Sequence, residues 1–270
     1  LEFYTDYTSN KIAELVTQVK NNKFSFSGFI TEPQGAFILF DDRLYMSSDF
    51  FIEKGVQTIT INTDSSREVP PVSNNTMVNE YPRYSAFFKQ QTIKRNICVR
   101  KYDSLNQLNN YTWPETIKSS YLKELDILYK EHDKLLLNYT EKNPDSKIAF
   151  WTLVKLMGWG YEPIFDSIYN SFSDELKNGN AGKVLCAKLL DGKVLTVGKY
   201  FPLLPITDMS SKPFTLDLFK DNKYTLVDFW YSRCSPCRAQ FSKLKDLYSQ
   251  FSTKGFEIVA ISVDLESEKK

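Results

Sequence analysis

Tyr224-Thr-Leu-Val-Asp-Phe-Trp-Tyr-Ser-Arg-Cys-Ser-Pro-Cys-Arg238 is the stretch on which the reading of this chain turns. It opens with β-branched and aromatic residues, and Leu226-Val227 with Phe229-Trp230 makes a near-continuous apolar run that suits a parallel strand covered on both faces. Pro236 starts a helix without wasting a donor, and that helix is expected to run to about Phe251. Phe256 to Val263 then reads as a second strand, apolar through Ile258-Val-Ala-Ile261, so the order is that of a βαβ unit. Cys234 falls where strand hands over to helix, and Cys237 lies one turn further in. At a helix N-terminus the unpaired backbone N–H groups and the helix dipole favour a thiolate, the nucleophile of thiol-disulfide exchange. A second thiol at this spacing can attack a mixed disulfide formed on the first. Arg233, next to Cys234, is expected to add positive charge beside that thiolate.

Other chemistries fit the cysteines less well. Cys98, Cys186, Cys234 and Cys237 are too few for a disulfide-stapled scaffold in 270 residues. Tetrahedral zinc needs four ligands and no second close pair exists, so no metal is expected. Covalent haem needs His after the second cysteine, where Arg238 stands, and no cofactor is implied. Cys98 and Cys186 read as small buried hydrophobes, His132 as part of a solvated helix face, and Trp113, Trp151 and Trp159 as core or helix-packing residues. Lys and Arg number 34 against 33 Asp and Glu, a net charge of +1 that offers no field for nucleic acid or an anionic bilayer. No apolar run approaches the roughly 20 residues of a membrane span, and Leu1 opens without a leader pattern; a membrane anchor ahead of Leu1 is left open.

Working outward, the chain reads as a modular α+β protein. Residues 1–78 are expected to form a small antiparallel β-domain, with period-2 patterns at Lys23-Phe-Ser-Phe-Ser-Gly28 and Val56-Gln-Thr-Ile-Thr-Ile61. Glu32-Pro33-Gln34-Gly35, Asp41-Asp42 and Lys54-Gly55 supply its turns. Residues 79–182 carry helical spacing, clearest at Tyr121, Leu122, Leu125, Leu128, Leu135 and Leu136, with a break at Asn143-Pro-Asp-Ser146 and an end at Asn178-Gly-Asn-Ala-Gly182. Residues 183–270 then hold a strand around Val194 to Val197, another at Phe214-Thr-Leu-Asp-Leu-Phe219, and the βαβ unit.

Val227 to Arg238 resembles the active-site segment of thioredoxin-like proteins. More narrowly, Gly198-Lys-Tyr-Phe-Pro202, the helix after the cysteines and Lys254-Gly-Phe-Glu-Ile-Val-Ala-Ile-Ser-Val-Asp264 resemble the TlpA/ResA group of periplasmic thiol-disulfide oxidoreductases. Phe24 to Gly28, Phe50 to Gly55 and Asn143 to Ser146 resemble the N-terminal regions of such proteins in Bacteroides-like bacteria. The resemblance implies Cys234 as attacking thiol, Cys237 as resolving thiol, and Asp228 as a buried acid exchanging a proton with Cys237. A carboxylate in an apolar strand has a raised pKa, which suits that task. Trp230, Arg233, Ser235 and Pro236 would surround the pair; Arg233 stands where Trp is usual and Ser235 where Gly is usual, which bears on redox potential and partner choice.

Protein thiols and disulfides are the implied partners, with an upstream thiol donor recycling the pair, reduction the expected direction, and the periplasm or extracytoplasmic envelope the expected location. The AhpC/TSA-related peroxiredoxins share the fold but carry Thr three residues before the reactive Cys, where this chain has Tyr231. A complete thioredoxin fold has two further strands and a helix after Val263, preceded by a cis-proline loop, so the chain is expected to be a fragment. Its opening Leu1-Glu-Phe-Tyr likewise reads as the remainder of a strand. The alternative from another class is a binding or scaffolding protein whose thioredoxin-like part is incomplete or silent; dithiol activity separates the two.

Overall fold

The computed structural model describes residues 2–5, 13–40, 45–46, 50–62, 75–110 and 112–264. The expected turn at Asp41-Asp42 lies outside them. The chain divides into two compact units, residues 1–197 and 198–270, and the architecture is α+β.

The first unit begins with an antiparallel sheet of β1 (Glu2–Thr5), β2 (Ala13–Val16), β3 (Gln34–Phe40), β4 (Tyr45–Met46) and β5 (Phe50–Ile52). β3 pairs β1 along one edge and β4 and β5 along the other. Ala36, Ile38 and Phe50 form the buried centre, and Phe24, Phe26, Ile59 and Ile61 pack against it. The segments carrying those four residues were expected to be strands, and they are not. Period-2 alternation marks which side chains reach the core, but it does not decide which segments pair into a ladder. Lys20 and Lys23 instead close a tight turn through two backbone hydrogen bonds of 2.9 and 3.0 Å, with Asn21 and Asn22 both at positive φ, a conformation asparagine tolerates.

Six helices follow. α1 (Tyr81–Leu108) and α2 (Glu115–Lys142) run antiparallel, since Lys94 pairs with Glu131 at 2.5 Å and Lys101 with Glu124 at 2.7 Å. The break at Asn143 to Ser146 forms as expected: Ser146 Oγ accepts the Ala149 amide at 3.1 Å and caps α3 (Lys147–Met157). α4 (Ile164–Ser171), α5 (Asp174–Asn178) and α6 (Asn180–Val194) complete the helical part. Leu136, Leu153, Ile168 and Leu185 are essentially inaccessible at its centre, each contributing about 1.5–3 kcal/mol by burial. The sheet and helices are tied together by Trp151 Nε1 donating to the Pro33 carbonyl (3.2 Å), Asn75 Nδ2 to the Phe51 carbonyl (2.6 Å) and the Ala181 amide to Glu32 Oε1 (2.8 Å).

Four expectations need correction here. The helical region does not end at Gly182, and no strand occupies Val194 to Val197; α6 runs through to Val194. Gly182 is a close-packing residue, not a stop: a Cβ there would collide with the Leu176 carbonyl and lie 2.5 Å from that of Lys177. His132 is half-buried rather than solvated, its ring 5.3 Å from that of Phe88 and Nδ1 3.2 Å from Asp133 Oδ1. Trp151 is core and Trp113 stacks on Tyr121, but Trp159 is 92% exposed.

The second unit is built on β6 (Tyr224–Trp230), α7 (Ser235–Phe251) and β7 (Phe256–Ser262). The strands are parallel and paired residue for residue from Tyr224 opposite Phe256 to Trp230 opposite Ser262. Gly255, at φ +86, turns the chain from α7 into β7. The strand expected at Phe214 to Phe219 is a 3₁₀ turn over Leu216–Phe219, whose Phe219 joins an aromatic trio with Phe201 and Phe214. Coverage of β6 on both faces is also not found: Leu226 and Phe229 are 38% and 56% exposed, although β7 pairs along its length and α7 packs on it through Phe241 against Trp230. No helix among the described residues is long and apolar enough to cross a membrane.

Candidate functional site

The connection between β6 and α7 delivers both cysteines. Cys234 leaves the extended strand at φ −79, ψ 93 and serves as the N-cap of α7. Its amide donates to the Tyr231 carbonyl at 3.0 Å, and its own carbonyl accepts the first helical bond, from Arg238, at 3.0 Å. Its Sγ accepts the Cys237 amide at 3.1 Å, so the sulfur takes the place a Ser or Asp oxygen usually holds at a helix start. The two cysteines form a disulfide with Cα atoms 5.2 Å apart. Cys234 is buried at 9% exposure, whereas Cys237 is half-exposed.

Asp228 lies half-buried on β6. Its Oδ1 accepts Gln240 Nε2 from α7 at 3.3 Å, while its Oδ2 is buried with no hydrogen-bond partner. An orphaned buried carboxylate oxygen is rare enough to need a reason. Trp230 packs edge-on against Phe241 of α7, ring centroids 5.2 Å apart, bracing strand and helix on either side of the turn. Ser235 and Pro236 occupy the exposed first turn of α7. Arg233 is exposed, and its charge acts on Asp264. Asp264, Gln240, Phe241, Ser232 and Ser262 are residues of this constellation that the sequence reading did not single out. Asp264 accepts hydrogen bonds from Ser262 Oγ at 2.6 Å and from the Ser232 amide at 2.8 and 3.1 Å. These bonds, with Arg233, hold its carboxyl below the usual carboxylate range. The available signal was a polar residue ending an apolar strand.

The other thiols stand apart in sequence and in setting. Cys98 is fully buried between α1 and α2, where desolvation and then the nearby Glu124 push its thiol pKa up; Cys186 is half-buried on α6 beside Tyr169. Among the described residues no three His, Cys, Asp or Glu side chains are grouped so as to hold a metal ion.

Two protein families match the chain. Residues 222–270 match a thioredoxin-like family, and residues 8–94 match a domain of unknown function (DUF4369). The thiol-disulfide oxidoreductase ResA of Oceanobacillus iheyensis is 34% identical over 77 residues, covering 27% of this chain and 40% of that protein. ResA of Bacillus thuringiensis subsp. konkukian is 33% identical over 70 residues, and ResA of Bacillus subtilis 30% over 69, each covering 26% of this chain and, respectively, 40% and 38% of the relative. The chain thus spans about two fifths of the length of these relatives. No solved structure matches it significantly. With a cysteine pair closing a strand-to-helix turn in a parallel βαβ unit, residues 222–270 of this chain are similar to thioredoxin-like proteins, ResA among them.

Proposed function

We propose that this chain carries the redox centre of an extracytoplasmic thiol-disulfide oxidoreductase that reduces protein disulfides. The observation that carries the reading is the Cys237 amide donating to Cys234 Sγ at the N-terminus of α7, because a donor and a helix dipole aimed at one sulfur favour its thiolate. In the reduced protein the Cys234 thiolate attacks one sulfur of a substrate disulfide, forming a mixed disulfide and expelling the other sulfur as a thiolate. Cys237 then loses its proton and attacks Cys234 Sγ, which closes the intramolecular disulfide and releases the second substrate sulfur. Two electrons pass to the substrate, and a thiol donor must return them before the next cycle.

Asp228 is the group proposed to take and return the Cys237 proton, which its unpartnered Oδ2 supports. Trp230, Ser235 and Pro236 shape the surroundings, and the likeness to ResA supports an envelope location and protein thiols as partners. The burial of Cys234 bears on the order of attack, so that order needs its own test. The Cys237→Ser variant should accumulate a mixed disulfide with a protein or peptide substrate, and Cys234→Ser should not.

The test of the function itself is the equilibrium of the pair against glutathione, read by thiol labelling and mass spectrometry. A reversible two-electron couple at or below about −200 mV is expected for a reducing relative of thioredoxin. A pair that never exchanges would move the function to the upstream unit, as a binding protein with a silent redox motif.

A further inference from the structure

Val263 donates its amide to the Trp230 carbonyl at 2.9 Å, carrying the β6–β7 pairing one step past the ladder. The next residue, Asp264, therefore meets the connection that leads to Cys234. The Ser232 amide donates to both carboxylate oxygens, at 2.8 and 3.1 Å, and Ser232 Oγ donates to Oδ1 at 3.0 Å. Ser262 Oγ donates to Oδ2 at 2.6 Å and accepts the Asp264 amide at 3.1 Å, which fixes the carboxylate on its own strand. Ser232 sits inside the turn that the Cys234 amide closes on the Tyr231 carbonyl. A carboxylate gathering this many donors is a rigid strut from β7 to that turn.

We propose that Asp264 is a positioning residue for the redox turn: by holding Ser232 it fixes the orientation in which Cys234 caps α7 and receives the Cys237 amide. This rests on the oxidoreductase reading for its purpose, but not for its geometry. Without the strut the turn is free to rotate Sγ away from the Cys237 amide, and the thiolate loses a donor. The negative charge of Asp264 acts in the opposite sense, disfavouring a nearby thiolate, so a simple deletion mixes two effects. Asp264→Asn and Asp264→Ala separate them, because both remove the charge and only Asn keeps a carbonyl oxygen for Ser232.

The experiment is the pH titration of the Cys234 thiol in the reduced full chain of both variants, followed by alkylation and mass spectrometry of its peptide, with amide hydrogen exchange of the Ser232 peptide alongside. Asp264→Ala should show about tenfold less Cys234 thiolate than Asp264→Asn at the same acidic pH, together with faster exchange at Ser232. Ser232→Ala, which keeps the amide and loses only the hydroxyl, should shift the titration the same way by a smaller factor, and it serves if Asp264→Ala does not fold. Coincident titrations for Asn and Ala, even with faster exchange in Ala, would overturn the proposal and leave Asp264 a stabiliser of the strand end. The glutathione equilibrium of the unmutated protein is read separately, so loss of the oxidoreductase reading would not be mistaken for loss of this one.

Discussion

Replacing Cys237 by Ser, in a chain that also carries Cys98→Ala and Cys186→Ala, leaves the backbone amide that donates to Cys234 Sγ in place and makes Cys234 the one remaining thiol. The contact is a single 3.1 Å hydrogen bond at the first turn of a 17-residue helix. A bond to a charged sulfur together with the helix dipole favours the thiolate by about 2 kcal/mol. That free energy is a factor of about thirty in the thiolate-to-thiol ratio. At pH 6, where an ordinary thiol is almost wholly protonated, the Cys234 thiolate should therefore be about thirtyfold more abundant than in the same variant unfolded in urea. Ultraviolet absorbance of the thiolate reads this directly and does not depend on access to the buried sulfur. Reaction with glutathione disulfide at the same pH should be faster by only about sixfold, because a more acidic thiol is a weaker nucleophile by about fivefold. A shortfall in the second measurement alone reports the burial of Cys234. A titration of folded Cys234 that coincides with the urea curve would refute the reasoning, since the helix start would then do nothing for the sulfur.

Asp228→Asn should slow closure of the Cys234–Cys237 disulfide by about a hundredfold, seen as a mixed disulfide persisting in acid-quenched samples, while the melting temperature holds because one carboxylate oxygen already lacks a partner. Glu32→Ala removes the carboxylate that accepts the Ala181 amide at the start of α6. It should destabilise the first unit by about 2 kcal/mol, lowering its melting midpoint by about 4–8 °C in calorimetry. Gly182→Ala forces a Cβ against the backbone carbonyls of Leu176 and Lys177, and a loss of about 3 kcal/mol by urea unfolding is expected. Cys98 is buried at 1% exposure with its thiol pKa raised. It should resist alkylation at pH 8 until denaturant is added, and prompt labelling would contradict its placement.

How much of this was legible depends on how local the signal is. β6 begins at Tyr224 and ends at Trp230 as the apolar run implies, and α7 ends at Phe251, because strand chemistry, Pro236 and the helical spacing all act within a few residues. The antiparallel β character of residues 1–78 was legible, but the segments that build the ladder were not. The alternation at Phe24 and Phe26, and at Ile59 and Ile61, correctly marks residues that reach the core of the sheet, yet the ladder falls on β1, β3 and β5 because edge pairing is decided between segments. Gly182 misled for a related reason: glycine looks the same in sequence whether it ends a helix or lets one pass close to a neighbouring carbonyl.

The same distinction divides the site. Cys234 and Cys237 are neighbours on one turn, and their chemistry follows from spacing. Asp264 reaches the site only through the register of β6 against β7, which sets Trp230 opposite Ser262. Carried two residues past the last pair, that register brings Ser232 to Asp264, residues 32 apart in the chain. The polar residue ending the second strand was visible from the start, and what it lacked was a partner. A parallel βαβ unit supplies one by construction, since whatever follows the second strand returns beside whatever follows the first, and here the first strand is followed by the redox turn. A carboxylate at that place can therefore be sought from sequence alone wherever the two strands can be aligned, before any side chain is placed.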